Sequence, residues 1–183
     1  MVRCFIGILT PEELNENIEK VIEEVKKLPL KCKFVEKRNF HVCLSFLGEV
    51  KEEEIESIRK NLDSIALGFK PFDVFIKGIK LIPSEKFLRV IALDVIDESR
   101  RIETLRKEIV RIIGGDSKPP HITLCRVKNI EKKGFALKKL EEMKNIEIGK
   151  MKIEKIQLIK SELSREGPFY SVIHESKLLS EFY

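Results

Sequence analysis

The chain has 183 residues, a formal net charge of +5 and 43% hydrophobic residues. This length suits one compact domain. Charged residues of both signs are interspersed, which is not the composition of a disordered chain. The mild basic excess fits a well-mixed, solvated surface and does not require an anionic partner. No apolar run reaches the roughly 18 residues that span a membrane, and the four cysteines form no Cys-x-x-Cys pair. We therefore expect a cytoplasmic protein with reduced cysteines and no membrane partner.

In the first half of the chain, apolar residues recur alternately at strand and at helix spacing. Val2 to Leu9 is predicted to be a buried strand, and Thr10 is predicted to cap a helix whose capping box is completed by Glu13. The other elements predicted up to residue 67 are an extended piece at 34–35, a strand at 40–47 and a helix at 51–67.

The second half continues the alternation and contains no proline- or serine-rich linker. Its predicted elements are strands at 72–82 and 87–94 joined by a hairpin turn, a helix at 98–113, a strand at 121–127, a helix at 131–143, and strands at 146–159 and 168–175. The chain is therefore predicted to be one α+β unit of about eight strands and four helices, arranged either as two sheet-plus-helix lobes or as one large mixed sheet.

Two hexapeptides that begin 80 residues apart (41 to 121) share one plan: His41-Val42-Cys43-Leu44-Ser45-Phe46 and His121-Ile122-Thr123-Leu124-Cys125-Arg126. Each begins with histidine at a strand start and carries a small polar residue two positions later, followed by leucine. Because residues i and i+2 of a strand point to the same face, each histidine shares a face with that small residue. If two lobes pack about a pseudo-twofold axis, these faces line one cleft and the two imidazoles confront each other.

Two imidazoles in one cleft suit the hydrolysis of a strained cyclic phosphate. The attacking water must lose a proton and the leaving ribose oxygen must gain one. Imidazole has an ordinary pKa of about 6.5, so one ring can act as base and the other as acid near neutral pH. The third histidine, His174, has no such repeat around it, and a structural role is the better interpretation of it.

A zinc site is the competing interpretation of the same residues. His41, Cys43, His121 and Cys125 make a two-histidine, two-cysteine set of the kind that zinc binds. However, His121 and Cys125 are four residues apart in a predicted strand, which separates them by about 13 Å. One ion does not bridge that distance, so the spacing disfavours zinc. We expect no cofactor.

The two motifs resemble those of the 2H phosphoesterases, and within them the RNA 2′,3′-cyclic phosphodiesterase family, also called 2′-5′ RNA ligases or LigT-like proteins. The resemblance includes the opening strand Arg3-Cys4-Phe5-Ile6-Gly7-Ile8 and covers most of the chain. It implies a single bilobal domain over residues 1–183, with two antiparallel sheets in a pseudo-twofold arrangement, helices outside and the active cleft between them.

The resemblance also implies an activity and a partner. Members open 2′,3′-cyclic phosphate ends of RNA to 2′-phosphates without a metal, and some join tRNA halves reversibly through a 2′-5′ linkage. We expect a monomer that binds such RNA ends. His41 is assigned as the general acid and His121 as the general base, which is a choice between two symmetric options.

The remaining candidate residues are substrate-binding. Thr123 is expected to donate a hydrogen bond to a phosphoryl oxygen. Cys43 departs from the family pattern, which has threonine or serine there, and a thiol is a weaker donor. Ser45 is expected on the same strand face, one pair further along, where it compensates in part. Phe46 and Arg126 end the two hexapeptides and are expected to clasp a nucleobase, because aromatic and guanidinium planes stack on bases.

Two alternatives to this enzyme stay open from the sequence. The first is a module that binds RNA ends with little turnover, which the weak donor at Cys43 leaves open. The second is a phosphodiesterase for another small cyclic phosphodiester, such as ADP-ribose 1″,2″-cyclic phosphate. Two nearby cations, Arg38 and Lys118, are better explained as solvated surface than as guides for RNA phosphates.

Overall fold

A computed structural model describes residues 1–165 and 167–179. Over these residues the chain forms nine strands and four α-helices. The strands are β1 (Val2–Leu9), β2 (Leu30–Phe34), β3 (His41–Val50), β4 (Phe72–Ile82), β5 (Val90–Ile96), β6 (His121–Ile130), β7 (Glu147–Ile153), β8 (Lys155–Leu163) and β9 (Pro168–Lys177). The helices are α1 (Glu12–Lys26), α2 (Glu52–Ala66), α3 (Arg101–Ile112) and α4 (Lys133–Glu142).

The strands form an antiparallel sheet that consists of two halves. Its order is β7-β4-β5-β6-β3-β1-β8-β9, and β2 pairs separately with β6. The halves meet where β3 lies beside β6, and their register there is the single pair Val42 and Ile122. These two residues hold the same position in the two hexapeptides, so the junction follows the sequence repeat. The predicted α+β fold with two antiparallel sheets is confirmed, with the addition that the two sheets are joined at this pair.

Two of the helices, α1 and α3, connect the two halves from outside. The helix α1 follows β1 but packs on β7 of the other half, and α3 follows β5 but packs on β3. The buried face of α1 shows the periodicity of an amphipathic helix, with Leu14, Ile18, Val21, Ile22 and Val25 inside. In the described part of the chain, the helices are too short or too polar to cross a bilayer.

A strand and a helix cap that the sequence predicts are wrong. The strand predicted at 146–159 is two strands, because the chain breaks at Glu154 between β7, which pairs with β4, and β8, which pairs with β1 in the other half. Apolar residues alternate through the whole segment 146–159, so the pattern does not mark the one-residue break at Glu154. Thr10 does not cap α1, whose cap position is Pro11. The Thr10 hydroxyl instead donates to the Asn15 side chain at 2.5 Å.

Gly7 lets β1 approach β3 closely beside the first hexapeptide. It pairs with Cys43, and a Cβ atom at Gly7 would lie 2.7 Å from the carbonyl oxygen of Val42 and 3.1 Å from the ring of Phe5. A methyl group there forces the two strands apart, whereas Gly134 in α4 has nothing within 4 Å of such a Cβ. The close pairing of β1 and β3 therefore depends on the absence of a side chain at Gly7.

We predict that Gly7→Ala lowers the free energy of unfolding by about 1–3 kcal/mol, the usual cost of overpacking. The matched control, Gly134→Ala, should leave stability unchanged or raise it by up to about 1 kcal/mol, because alanine favours helices. Urea denaturation of both variants measures the difference. Equal stability of Gly7→Ala and the wild type would contradict the close approach described.

Candidate active site

A pocket of about 470 Å³ opens where β3 and β6 meet. Six of the seven residues predicted as site residues line it, three from each motif strand: His41, Cys43, Phe46, His121, Thr123 and Arg126. The side chains of Val42, Leu44, Ile122 and Leu124 alternate with them and are fully buried on the opposite face. The i, i+2 rule thus brings both histidines and both small polar residues into one pocket.

The two histidines are held in the same way. The Nδ1 atom of His41 lies 2.7 Å from the carbonyl oxygen of Asn39, and Nδ1 of His121 lies 2.8 Å from that of Pro119. Since a carbonyl only accepts, Nδ1 carries the proton in both rings, and Nε2 is left to accept or donate a proton. In each case the carbonyl belongs to the residue two positions before the histidine, so the pseudo-twofold relation extends to the tautomer.

Burial lowers the pKa of His41 from its ordinary value. The hydrogen bond to Asn39 opposes this shift, and the nearby charge of a protonated His121 adds to the lowering. A protonated His121 therefore disfavours a second proton on His41. General acid-base catalysis needs one ring that accepts a proton, and the lowered pKa suits His41 to that role.

Each hexapeptide contains a β-bulge at its leucine. In β3 the register passes from Gly7–Cys43 to Ile6–Ser45, so Leu44 is the extra residue. In β6 it passes from Ala92–Thr123 to Ile91–Cys125, so Leu124 is the extra residue. A bulge reverses the alternation of side chains beyond it. The fifth residue of each motif is therefore buried, and the sixth turns into the pocket.

The bulge overturns the expected position of Ser45. Its side chain is fully buried and its hydroxyl donates to the carbonyl oxygen of Gly114 at 2.6 Å, away from the pocket lining. Ser45 therefore does not share the face of His41 and does not compensate for Cys43. The bulge at Leu44 accounts for the exposure of Phe46, and the bulge at Leu124 accounts for that of Arg126, because simple alternation would have turned both side chains inward.

The backbone carbonyl of each bulged leucine accepts a hydrogen bond from the segment that precedes the other motif strand. The Leu44 carbonyl accepts the hydroxyl of Ser117 at 2.6 Å, and the Leu124 carbonyl accepts the N–H of Val35 at 2.9 Å. A bulge leaves backbone groups unpaired in the ladder, so these bonds keep it in place. Each half of the molecule thus stabilises the motif strand of the other half.

Cys43 and Thr123 occupy equivalent positions with different donors. Burial, reinforced by the Asp116 carboxylate, raises the pKa of the Cys43 thiol to about 11. Cys43 is therefore a neutral thiol at physiological pH and neither an anion nor an active nucleophile. The Thr123 hydroxyl has no hydrogen-bond partner among residues 1–165 and 167–179 and remains available to a ligand.

The mouth of the pocket combines a stacking surface with positive charge. The guanidinium of Arg3 lies 5.0 Å from the centre of the Phe46 ring, which is 38% exposed. Lys33 is paired with Arg126 across β2 and β6, and Lys118 also lines the pocket. Two acidic residues, Glu36 and Asp116, also lie in the lining. This mixture of aromatic and cationic groups can bind a base and its phosphates.

The lining residues that sequence reasoning missed include Arg3, Phe5 and Tyr170, which come from strands outside the hexapeptides. Both aromatic rings pack against His41, with ring centres 4.8 Å away for Phe5 and 5.3 Å away for Tyr170. Alternation along β1 places Arg3 and Phe5 on one face, which is the signal that could have found them. Nothing in the sequence near Tyr170 points to the pocket.

Three residues are interpreted from the sequence as structural or as solvated surface: His174, Arg38 and Lys118. The Nε2 atom of His174 lies 2.7 Å from Asp63 on α2, outside the pocket. Arg38 pairs with Glu36 at 2.8 Å and does not line the pocket, whereas Lys118 does.

Within the described ranges, no three histidine, cysteine or acidic side chains are grouped as metal ligands, and the Cys125 thiol contacts Cys32.

A family model described as "LigT like Phosphoesterase" matches residues 8–92 and 94–170 of this chain. The chain belongs to the LigT-like phosphoesterase family. The resemblance inferred from the two hexapeptides is therefore confirmed. The two matched segments each contain one hexapeptide, in agreement with the pseudo-twofold site.

Among LigT-like relatives, the RNA 2′,3′-cyclic phosphodiesterase of Aquifex aeolicus is 34% identical over 96% of both chains. The RNA 2′,3′-cyclic phosphodiesterase of Methanocaldococcus jannaschii is also 34% identical, over 95% of this chain and 99% of its own. The crystal structure of TT0787 from Thermus thermophilus has a TM-score of 0.78 at 28% identity, covering 98% of this chain and 99% of that one. The similarity extends over nearly the full length of each protein.

The neutral thiol of Cys43 yields a prediction for chemical modification. Alkylation proceeds through the thiolate, so the rate at Cys43 should be far below that of an ordinary exposed thiol at pH 7.5 and should still be rising near pH 10, because its pKa is about 11. Iodoacetamide labelling followed by peptide mass spectrometry measures this rate at each pH. Rapid labelling of Cys43 at pH 7.5 would contradict the buried thiol.

Proposed function

We propose that this LigT-like phosphoesterase opens 2′,3′-cyclic phosphate ends of RNA to 2′-phosphates, with two histidines as base and acid and without a metal ion. The observation that carries the proposal is the pair His41 and His121 in one pocket, each with Nδ1 bonded to a carbonyl. The names of the relatives described above give independent support for the substrate. Residues 1–183 are proposed to form one bilobal domain around this site.

The reaction needs one proton removed and one supplied. One imidazole takes a proton from water through Nε2 while the water oxygen attacks phosphorus. The bond between phosphorus and the ribose 3′ oxygen breaks, and the second imidazole donates its Nε2 proton to that oxygen. The product is a 2′-phosphomonoester with a free 3′ hydroxyl. The second ring then regains a proton, and the first loses one, before the next turnover.

We assign the base to His41 and the acid to His121, the reverse of the choice made from the sequence. The lowered pKa of His41 keeps this ring neutral at physiological pH, which a general base requires. Activity should fall as the pH drops through the pKa of His41. That acidic limb should lie below about pH 6.5, the ordinary value for histidine.

Substrate binding is proposed to divide between phosphate and base. The Thr123 hydroxyl donates to a phosphoryl oxygen, where hydrogen bonds to developing charge stabilise the transition state. The terminal nucleobase stacks on Phe46, whose exposed ring already contacts the Arg3 guanidinium, while Arg126 contacts the base or its phosphate from the other strand. The phosphates of the preceding nucleotides lie beside the cationic side chains at the mouth of the pocket.

Several finer expectations from the sequence and the resemblance stay predictions. These are the 2′-5′ joining of tRNA halves, the monomeric state and the cytoplasmic location. Ligation is the reverse type of transfer, with an RNA 5′ hydroxyl in place of water, and it would use the same two imidazoles. The alternatives of a binding module or of another cyclic phosphodiester are resolved by measuring turnover on several substrates in parallel.

We predict that His41→Ala and His121→Ala each lower turnover of a nucleoside 2′,3′-cyclic phosphate by at least about 100-fold, the usual effect of losing a general acid or base. The control is His174→Ala, which removes a histidine outside the pocket and should turn over substrate at nearly the wild-type rate. Circular dichroism checks that all three variants are folded. Near-wild-type turnover by either pocket variant would refute the two-histidine mechanism.

The assignment of acid and base is tested with a substrate analogue that carries sulfur in place of the 3′ oxygen. A thiolate leaves without receiving a proton, so loss of the general acid should matter little for this analogue. We predict that His121→Ala recovers most of its lost rate on the sulfur analogue, whereas His41→Ala does not. Recovery by His41→Ala alone would show that the assignment is the reverse.

A further inference from the structure

Tyr170 enters the pocket from β9, on the side of Cys43. It pairs with Ser161 of β8, which also lines the pocket. The Tyr170 ring meets the imidazole of His41 edge to face, with ring centres 5.3 Å apart and an angle of 89°. It meets the Phe5 ring in a similar way at 5.0 Å. Tyr170 is thus held against a catalytic ring by two aromatic contacts.

The Tyr170 hydroxyl is available to a ligand. It makes no hydrogen bond with any residue in the described ranges 1–165 and 167–179, although the side chain is half-buried. Burial raises the pKa of Tyr170, against the opposing effect of the Arg126 and Arg3 guanidinium groups. The hydroxyl therefore keeps its proton at physiological pH and can donate a hydrogen bond. The two guanidinium groups also favour an anion near this hydroxyl.

The two sides of the pocket differ in their donors. Thr123 supplies a hydroxyl beside His121, whereas the equivalent Cys43 supplies a thiol, which is a weak donor. A cyclic phosphate held between the two histidines has two nonbridging oxygens. Hydrogen bonds to such charged oxygens are strong, and an oxygen without a donor destabilises the transition state. The Cys43 side therefore needs a donor from another element.

We propose that the Tyr170 hydroxyl donates a hydrogen bond to the nonbridging phosphate oxygen on the Cys43 side, and so supplies the donor that the thiol lacks. This proposal rests on the proposed function. It makes Tyr170 a second hydroxyl donor to the phosphate, beside Thr123, and a contributor to rate.

The test is Tyr170→Phe, which removes the hydroxyl and keeps the ring contacts with His41 and Phe5. We expect kcat/KM for a nucleoside 2′,3′-cyclic phosphate to fall by roughly tenfold or more, the effect of losing one hydrogen bond to a charged group. Calorimetric binding of adenosine 2′-monophosphate should weaken by a similar factor. In a Cys43→Thr background, the same change should cost less than about threefold, because the new hydroxyl replaces the lost donor.

Ser171→Ala is the matched control, since it removes a hydroxyl from the adjacent position of β9, outside the pocket lining, and should change neither measurement. Unchanged kcat/KM and unchanged nucleotide binding in Tyr170→Phe would overturn the proposal while leaving the two-histidine mechanism intact. Equal losses in the wild-type and Cys43→Thr backgrounds would overturn the claim that Tyr170 replaces the missing donor. If the wild type bound nucleotide without turnover, the proposed function would fail, and the binding data alone would decide the role of Tyr170.

Discussion

The pairing of β3 with β6 at Val42 and Ile122 determines how the rest of the molecule is arranged. An antiparallel pair has a local twofold axis, and here the axis relates the same position of two similar hexapeptides. The histidines, the small polar residues and the bulged leucines are placed by that one register. A slip of one residue between these strands would turn one histidine into the core. The helices α1 and α3 and the segments around Val35 and Ser117 stabilise this register from both sides.

Much of the fold and the centre of the site could be predicted from the sequence because they depend on local periodicity. The strand Val2–Leu9 and the strand Phe72–Ile82 have the predicted bounds, and the four helices lie where apolar residues recur at helical spacing. The two histidines were found because a repeat of hexapeptides needs no knowledge of distant contacts. Their common face follows from the period of a strand.

The features that could not be predicted depend on contacts between distant residues. The bulges at Leu44 and Leu124 are set by the partners of each strand, so the burial of Ser45 and the exposure of Phe46 contradicted simple alternation. The break at Glu154 depends on which edge of the sheet each strand joins. Tyr170 reaches the pocket only because β9 follows β8 in the half-sheet that carries β3. The direction of the His41 pKa likewise required its burial to be known.

The proposed mechanism is a ring opening by water that breaks the 3′ bond under the action of two imidazoles. Its sharpest test is phosphorus NMR of the product formed from an RNA with a 2′,3′-cyclic phosphate end, in water enriched in oxygen-18 and after exhaustive treatment with EDTA. The mechanism predicts a single 2′-phosphomonoester that carries one oxygen-18 atom, formed at the rate seen without EDTA. A 3′-phosphate product, or activity that EDTA abolishes and zinc restores, would contradict it.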